Sequence, residues 1–212
     1  MARSLKKLIA AVFCLVLLFE LSSCSVNTKS AEQTGFSMGS LVGIKLYGKN
    51  SEALENANLL AEVVKTDERI SKNYEGSDIY RVNSSGEHGE TVSSETYDEL
   101  RTVCDVYSES HGKAAALSGA LTELWGFDTD EFRLPSEDEI LSAKEKCGDD
   151  KLIFDDGKKV YIPDGAKLNL GSAGKGIALD EAVKRIDEIN SQGGKITGAV
   201  ISVGGSVATY GL

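Results

Sequence analysis

Leu168-Asn169-Leu170-Gly171-Ser172-Ala173-Gly174-Lys175-Gly176, followed by Ile177-Ala178-Leu179-Asp180-Glu181-Ala182-Val183, decides how the rest of the chain is read. Its first residues alternate like the end of a strand, whereas Ile177, Ala178, Ala182, Val183, Ile186 and Ile189 fall at helical spacing. The glycines and small residues between them let the backbone turn sharply and approach a ligand closely. Such a turn into a helix aims free N–H groups and the positive end of the helix dipole at one point, which suits a phosphate. Neither familiar nucleotide motif accounts for the stretch. In the P-loop pattern G-x-x-x-x-G-K-[ST] the first glycine stands further upstream, and here Gly176 follows the lysine. The spacing 171, 174, 176 also departs from the Rossmann fingerprint. Spacing alone therefore leaves two readings, a phosphate-facing turn and a tight turn with no ligand.

Around this stretch, 212 residues with 41% apolar content can build a substantial core. The net charge is −10, and without the first 23 residues 20 basic stand against 32 acidic, or −12. That balance argues against non-specific nucleic-acid binding and against adhesion to anionic lipid through a basic patch. The N-terminus reads as a processing segment: Arg3, Lys6 and Lys7 precede an apolar run of 12 residues from Leu8 to Phe19. The run is short for a bilayer span and typical of a signal h-region. It ends at Leu21-Ser22-Ser23-Cys24, which resembles a bacterial lipobox, with Cys24 as the lipidated residue. Residues 1–23 are thus expected to be a lipoprotein signal peptide and 24–32 a polar tether. The body from 33 to 212 then sits outside the cytoplasm, held to the bacterial cell membrane by its lipid. Cys14 falls in the signal, so only Cys104 and Cys147 remain in the body. Both lie in helical patterns, and a disulfide and a reduced pair stay open. Neither a Cys-x-x-Cys nor a histidine cluster suggests zinc.

In chain order, residues 41–47 alternate as a strand and residues 51–70 carry Leu54, Ala57, Ala61 and Val64 as one helical face. Residues 71–94 read as a polar loop containing Ser77-Asp78-Ile79-Tyr80-Arg81-Val82-Asn83, and 94–109 as a second helix. Trp125 is expected as a core anchor. Ser136 and Glu139 stand in capping-box positions for a third helix. Asp155-Asp156-Gly157 marks a hairpin, residues 167–170 a short strand, and 199–203 a strand turned by Gly204-Gly205. His88 and His111 read as solvated surface groups. Interleaved strands and helices with no linker predict one α+β domain, a mixed or antiparallel sheet covered by helices.

Taken in order, five stretches resemble the ApbE family, the FAD:protein FMN transferases once called thiamine-biosynthesis lipoproteins. They are Met38-Gly39-Ser40, the 77–83 stretch, Gly119-Ala120-Leu121-Thr122-Glu123-Leu124-Trp125-Gly126-Phe127, the glycine turn with Lys175 and Asp180, and Ser202-Val203-Gly204-Gly205-Ser206-Val207. The resemblance spans about residues 33 to 212 and implies a T-fold-related architecture, incomplete at the C-terminal end, because family members run on past Leu212. It also implies FAD as substrate and Mg²⁺ on its pyrophosphate. A Ser or Thr hydroxyl of a target flavoprotein subunit attacks the flavin-side phosphate and AMP leaves. Carried over, Met38, Asn73, Lys113, Ala114, Ala115, Asn169 and Lys175 bind FAD, and Ser172 offers its carbonyl to Mg²⁺. The family's flavin-contacting Tyr falls on Asn73, with Tyr74 beside it. Ala115 and Leu117 replace the usual Asp and Thr, and Ser206 stands where Asp or Asn is common. A hydrolase splitting FAD to FMN and AMP, and a non-catalytic flavin-binding exported lipoprotein, are the alternative readings.

Overall fold

The computed structural model describes residues 28–127, 129 and 131–211. The expected signal segment, Cys14 and the lipobox Cys24 lie outside the described residues. Two antiparallel sheets carry the fold. Strands β1 (Lys29–Ser37) and β2 (Ser40–Gly48) form a hairpin, and β6 (Ile196–Val203) and β7 (Ser206–Tyr210) form another. They join as a four-stranded sheet in the order β1-β2-β6-β7. A smaller sheet has the order β3-β5-β4, from Glu90–Thr91, Lys159–Tyr161 and Ile153–Phe154. Lys29 to Glu32 belong to β1, so the tether expected over 24–32 is shorter than read. Polar side chains there mislead, because every second residue of an edge strand faces solvent anyway.

The alternation read over 41–47 is the inner and outer face of β2. Val42, Ile44 and Leu46 pair with Val203, Ile201 and Ala199 of β6 and are all buried. Three helices cover that face: α1 (Ser51–Asn56), α2 (Leu59–Ile70) and α7 (Gly174–Ser191). Burying each such aliphatic side chain contributes about 1.5–3 kcal/mol relative to exposure.

The single helix expected over 51–70 is two. Asn58 takes the left-handed conformation (φ 49°, ψ 41°), which Asn tolerates better than most residues, and this resets the helical phase. Leu59, Val63, Thr66 and Ile70 then turn inward, and Ala61 and Val64 do not. The loop expected over 71–94 holds α3 (Asp78–Ser85), whose N-terminus Ser77 caps by accepting from the Tyr80 amide at 2.8 Å. Ile79 and Val82 bury its inner edge, one helical turn apart. Helix α4 (Ser94–Glu109) follows as expected.

Helices α5 (Gly119–Leu124) and α6 (Glu137–Lys144) come next, and α6 carries the expected capping box. Ser136 accepts from the Glu139 amide at 3.4 Å, and the Glu139 carboxylate accepts from the Ser136 amide at 2.8 Å. The 155–157 hairpin forms, with Lys158 rather than Gly157 in the left-handed region (φ 59°). Residues 167–169 run extended without joining a sheet, and the side chain of Asn83 takes the place of a strand partner. It accepts from the Leu168 amide at 2.7 Å and donates to the Leu168 carbonyl at 2.9 Å.

Trp125 is no core anchor: it is half-buried and stacks on Phe127, itself 62% exposed, with ring centroids 6.3 Å apart. A second apolar cluster, including Ile79, Val82, Leu100, Val160, Leu168 and Leu170, fills the space between α3, α4 and the small sheet. Met38 packs against both clusters, which marks the seam between them.

Candidate functional site

At one end of the four-stranded sheet the two hairpin turns meet the start of α7. The first turn is Met38-Gly39, with φ of 51° and 64°, the type I′ geometry of a two-residue hairpin. Methionine there is unusual, since a left-handed non-glycine residue costs roughly 1–2 kcal/mol. Asp67, from the last turn of α2, holds it: its carboxylate accepts from the Met38 amide at 2.7 Å and from the Ser37 hydroxyl at 2.9 Å. In the second turn Gly204 is left-handed (φ 59°) and donates to the Leu41 carbonyl at 2.8 Å. A Cβ on Gly204 would stand 3.0 Å from both Lys175 Nζ and the Ser40 side chain, so both side chains would have to give way.

The glycine turn enters between these hairpins. Asn169 is extended, Leu170–Ser172 make a single 3₁₀ turn, and α7 starts at Gly174. None of Gly171, Gly174 and Gly176 has a positive φ, contrary to the expectation of a sharp glycine bend. Gly171 and Gly174 serve space instead, and a Cβ at Gly171 would come within 3.1 Å of the Asn169 Oδ1. A Cβ at Gly174 would come within 3.3 Å of Ile70, whereas one at Gly176 would meet nothing within 4 Å. Ala173 caps α7 without any side-chain hydrogen bond, so the first-turn amides of this 18-residue helix carry no side-chain acceptor. The positive end of the helix dipole is thus left open, with Lys175 in its first turn. Among the described residues no carboxylate pairs with Lys175.

Met38, Asn73, Asn169 and Lys175, singled out from sequence, line one cavity of about 480 Å³ together with Asp67, Ile70 and Leu170. Tyr74 is outside its lining and half-exposed. Lys113, Ala114, Ala115 and Ser172 line a second cavity of about 520 Å³, with Tyr107 and Cys147. The two cavities lie on either side of the Leu170–Ser172 turn, since residues 169–171 face the first and Ser172 the second. Asn169 ties the turn to both neighbours: its Oδ1 accepts from the Gly171 amide at 2.9 Å and its Nδ2 donates to Thr122 at 3.0 Å. Leu117 lies wholly in the core and lines neither cavity.

Three side chains that shape the site escaped the sequence reading: Asp67, Asn83 and Asp149. Asp149 is 2% exposed and accepts from the amides of Ala116 and Leu117 at 3.0 and 2.6 Å, which fixes the segment after Ala115. Burial pushes its carboxyl above the usual range, partly offset by those two amides. Only Asn83, closing the quoted 77–83 stretch, had a sequence signal at all; its partners are 85 residues away. Cys104 and Cys147 are both free thiols, donating to the carbonyls of Asp149 and Ala143. Burial, then the nearby Asp149 and Asp105, pushes the Cys104 thiol up to about 11. His88 and His111 are exposed. No three His, Cys, Asp or Glu side chains among the described residues converge on a metal position.

Residues 38–212 match the model of the ApbE family. The FAD:protein FMN transferase of Haemophilus influenzae is 21% identical over 219 residues, covering 98% of this chain and 62% of that protein. Among solved structures, the ApbE protein of Thermotoga maritima superposes with a TM-score of 0.73 at 25% identity, over 85% of this chain and 59% of its own. The apo flavinyl transferase ApbE of Pseudomonas stutzeri gives 0.74 at 23%, over 87% and 58%. The chain therefore spans less than two thirds of the length of each of these relatives. Its two antiparallel sheets, the order of its motifs and a match over most of its length all agree: this chain belongs to the ApbE family.

Proposed function

We propose that this chain carries the flavin-nucleotide site of an FAD:protein FMN transferase, which moves FMN from FAD to a Ser or Thr hydroxyl of a target flavoprotein subunit. The observation that carries this reading is the open N-terminus of α7, with Lys175 in its first turn, facing a cavity that Met38, Asn73 and Asn169 also line. The diphosphate of FAD lies against those amides and the ammonium, where its charge is offset. Met38, Ile70 and Leu170 offer apolar surface to the flavin nucleotide, and Asn73 an amide. The rest of the dinucleotide crosses the 170–172 turn to Lys113, Ala114 and Ala115, which line the second cavity. The acceptor hydroxyl then forms a bond to the flavin-side phosphorus, the bond to the AMP oxygen breaks, and AMP leaves.

Mg²⁺, which in such chemistry offsets charge on the diphosphate, finds no adequate site in the described residues. No three acidic, His or Cys side chains converge, and Ser172 contributes a carbonyl at most, whereas a hard divalent cation draws on carboxylates and water. The chain is further placed on the outer side of the bacterial cell membrane through a lipid on Cys24, a reading supported by the basic start, the apolar run and the cysteine after it. Incorporation of radiolabelled palmitate, lost in Cys24→Ala, tests the anchor. Calorimetric titration with FAD tests the site: binding is expected, weakened about tenfold or more in Lys175→Ala, consistent with a charge-assisted contact. Absence of any binding heat overturns the assignment.

A further inference from the structure

Net charge gives no hint of a basic surface, yet the fold gathers three lysines from distant positions at the end of the four-stranded sheet opposite the candidate site. Lys29 opens β1, Lys49 follows β2, and Lys195 precedes β6; Lys29 pairs in register with Gly48, and the Lys49 amide donates to the Lys195 carbonyl at 3.3 Å. Together with Asn50, Ser51, Glu52 and Gly193 they line an open hollow of about 370 Å³. All three are exposed, and among the described residues none is ion-paired. By contrast Lys45, Lys65, Lys72 and Lys184 each have a carboxylate partner. Glu52 is the one acidic residue in the lining, so the hollow keeps a positive balance in an otherwise acidic protein.

The chain length before this end matters as well. Because β1 begins at Lys29, only residues 25–28 separate it from Cys24. Fully extended, those few residues reach about 17 Å. A lipid on Cys24 therefore holds Lys29 and its neighbours close to the headgroup layer. We propose that the Lys29, Lys49 and Lys195 end of the sheet rests on the anionic phospholipid headgroups of the membrane, which turns the nucleotide site outward. The site then stands roughly 25–30 Å above the surface, the rise of the nine-residue β2. Only the tether length rests on the lipid-anchor reading; the lysine cluster stands on the fold.

The test is sedimentation of the full chain with phosphatidylcholine vesicles that contain phosphatidylglycerol, against pure phosphatidylcholine. Lys29→Gln, Lys49→Gln and Lys195→Gln are combined in one variant, and a control combines Lys65→Gln, Lys146→Gln and Lys184→Gln. Near an anionic surface each lysine strengthens binding about fivefold, so the cluster variant is expected to lose roughly a hundredfold in affinity for the anionic vesicles. The control is expected to lose far less, and about 1 M salt to erase the difference. Equal losses in the two variants overturn the proposal, because net charge would then explain the binding. So does a cluster variant that sediments like the parent. Palmitate labelling reads the anchor separately, so either conclusion can fail without the other.

Discussion

Replacing Asp67 by alanine removes the only carboxylate among the described residues that holds the Met38-Gly39 turn in shape. In the native structure Asp67 accepts two hydrogen bonds, from the Met38 amide at 2.7 Å and the Ser37 hydroxyl at 2.9 Å. Ser37 is buried, so its hydroxyl gains little help from water. A hydrogen bond to a charged acceptor is worth about 1.5–3 kcal/mol. Asp67 itself is only half-buried and lines a cavity, so the lower end applies to each bond, and the loss is about 3 kcal/mol. Relaxation of the left-handed Met38 limits the damage, since about 1–2 kcal/mol of backbone strain is then released. That leaves a net loss of about 1–2 kcal/mol, a fall of roughly 2–8 °C in thermal unfolding for a domain of this size. Asp67→Asn keeps a neutral acceptor and is expected to cost about half as much. The informative assay pairs urea unfolding followed by far-UV circular dichroism with FAD titration on the folded variants. Once the turn relaxes, Met38 and the cavity wall shift, and FAD affinity is expected to fall more steeply than stability. A loss below about 1 kcal/mol together with unchanged FAD binding would refute the clamp.

Further outcomes follow from the same geometry. Asn83→Ala leaves the buried Leu168 amide and carbonyl without partners and is expected to cost about 2–6 kcal/mol in urea unfolding, at about 1–3 per orphaned group. Gly176→Ala adds a Cβ into open space inside a helix and is expected to stabilise by about 0.5–1 kcal/mol while weakening FAD binding if the ligand packs there. Burial raises the Asp78 carboxyl, but the Ser93 and Thr96 hydroxyls, the Ser93 amide and Arg81 outweigh it and hold the group below its ordinary value. Its contribution is therefore complete above the unfolded value of about 3.9 and lost as pH falls through the depressed folded one. The stability gap between the native chain and Asp78→Asn should accordingly hold down to about pH 4 and shrink as the pH falls further in urea titrations. Cys104, with its thiol near 11, should alkylate at about pH 8 on the order of a hundredfold more slowly than a free thiol, read by mass spectrometry.

Much of this protein was legible one element at a time. Alternating apolar residues place β2, and the capping box places α6. The Asp155-Asp156-Gly157 signal places the small hairpin, and apolar spacing places the body of α7. Each of these depends on neighbours within a few residues, and local periodicity encodes which side of an element is buried. The quoted family stretches likewise pointed to Met38, Asn73, Asn169 and Lys175, which the fold brings onto one cavity.

What the sequence alone determined, then, is β2, α4, α6, α7 and the small hairpin, together with the family. Tertiary structure decided the partners. Asn58 resets the phase of one expected helix, and Asp67 reaches a turn 29 residues away. Asn83 stands in for a strand 85 residues on, and three lysines far apart in sequence share one hollow. None of these leaves a periodic trace, because a single polar contact between elements repeats nowhere along the chain. Its partner is fixed only when the apolar faces have packed, and those faces specify burial without naming which polar groups will meet at their edges.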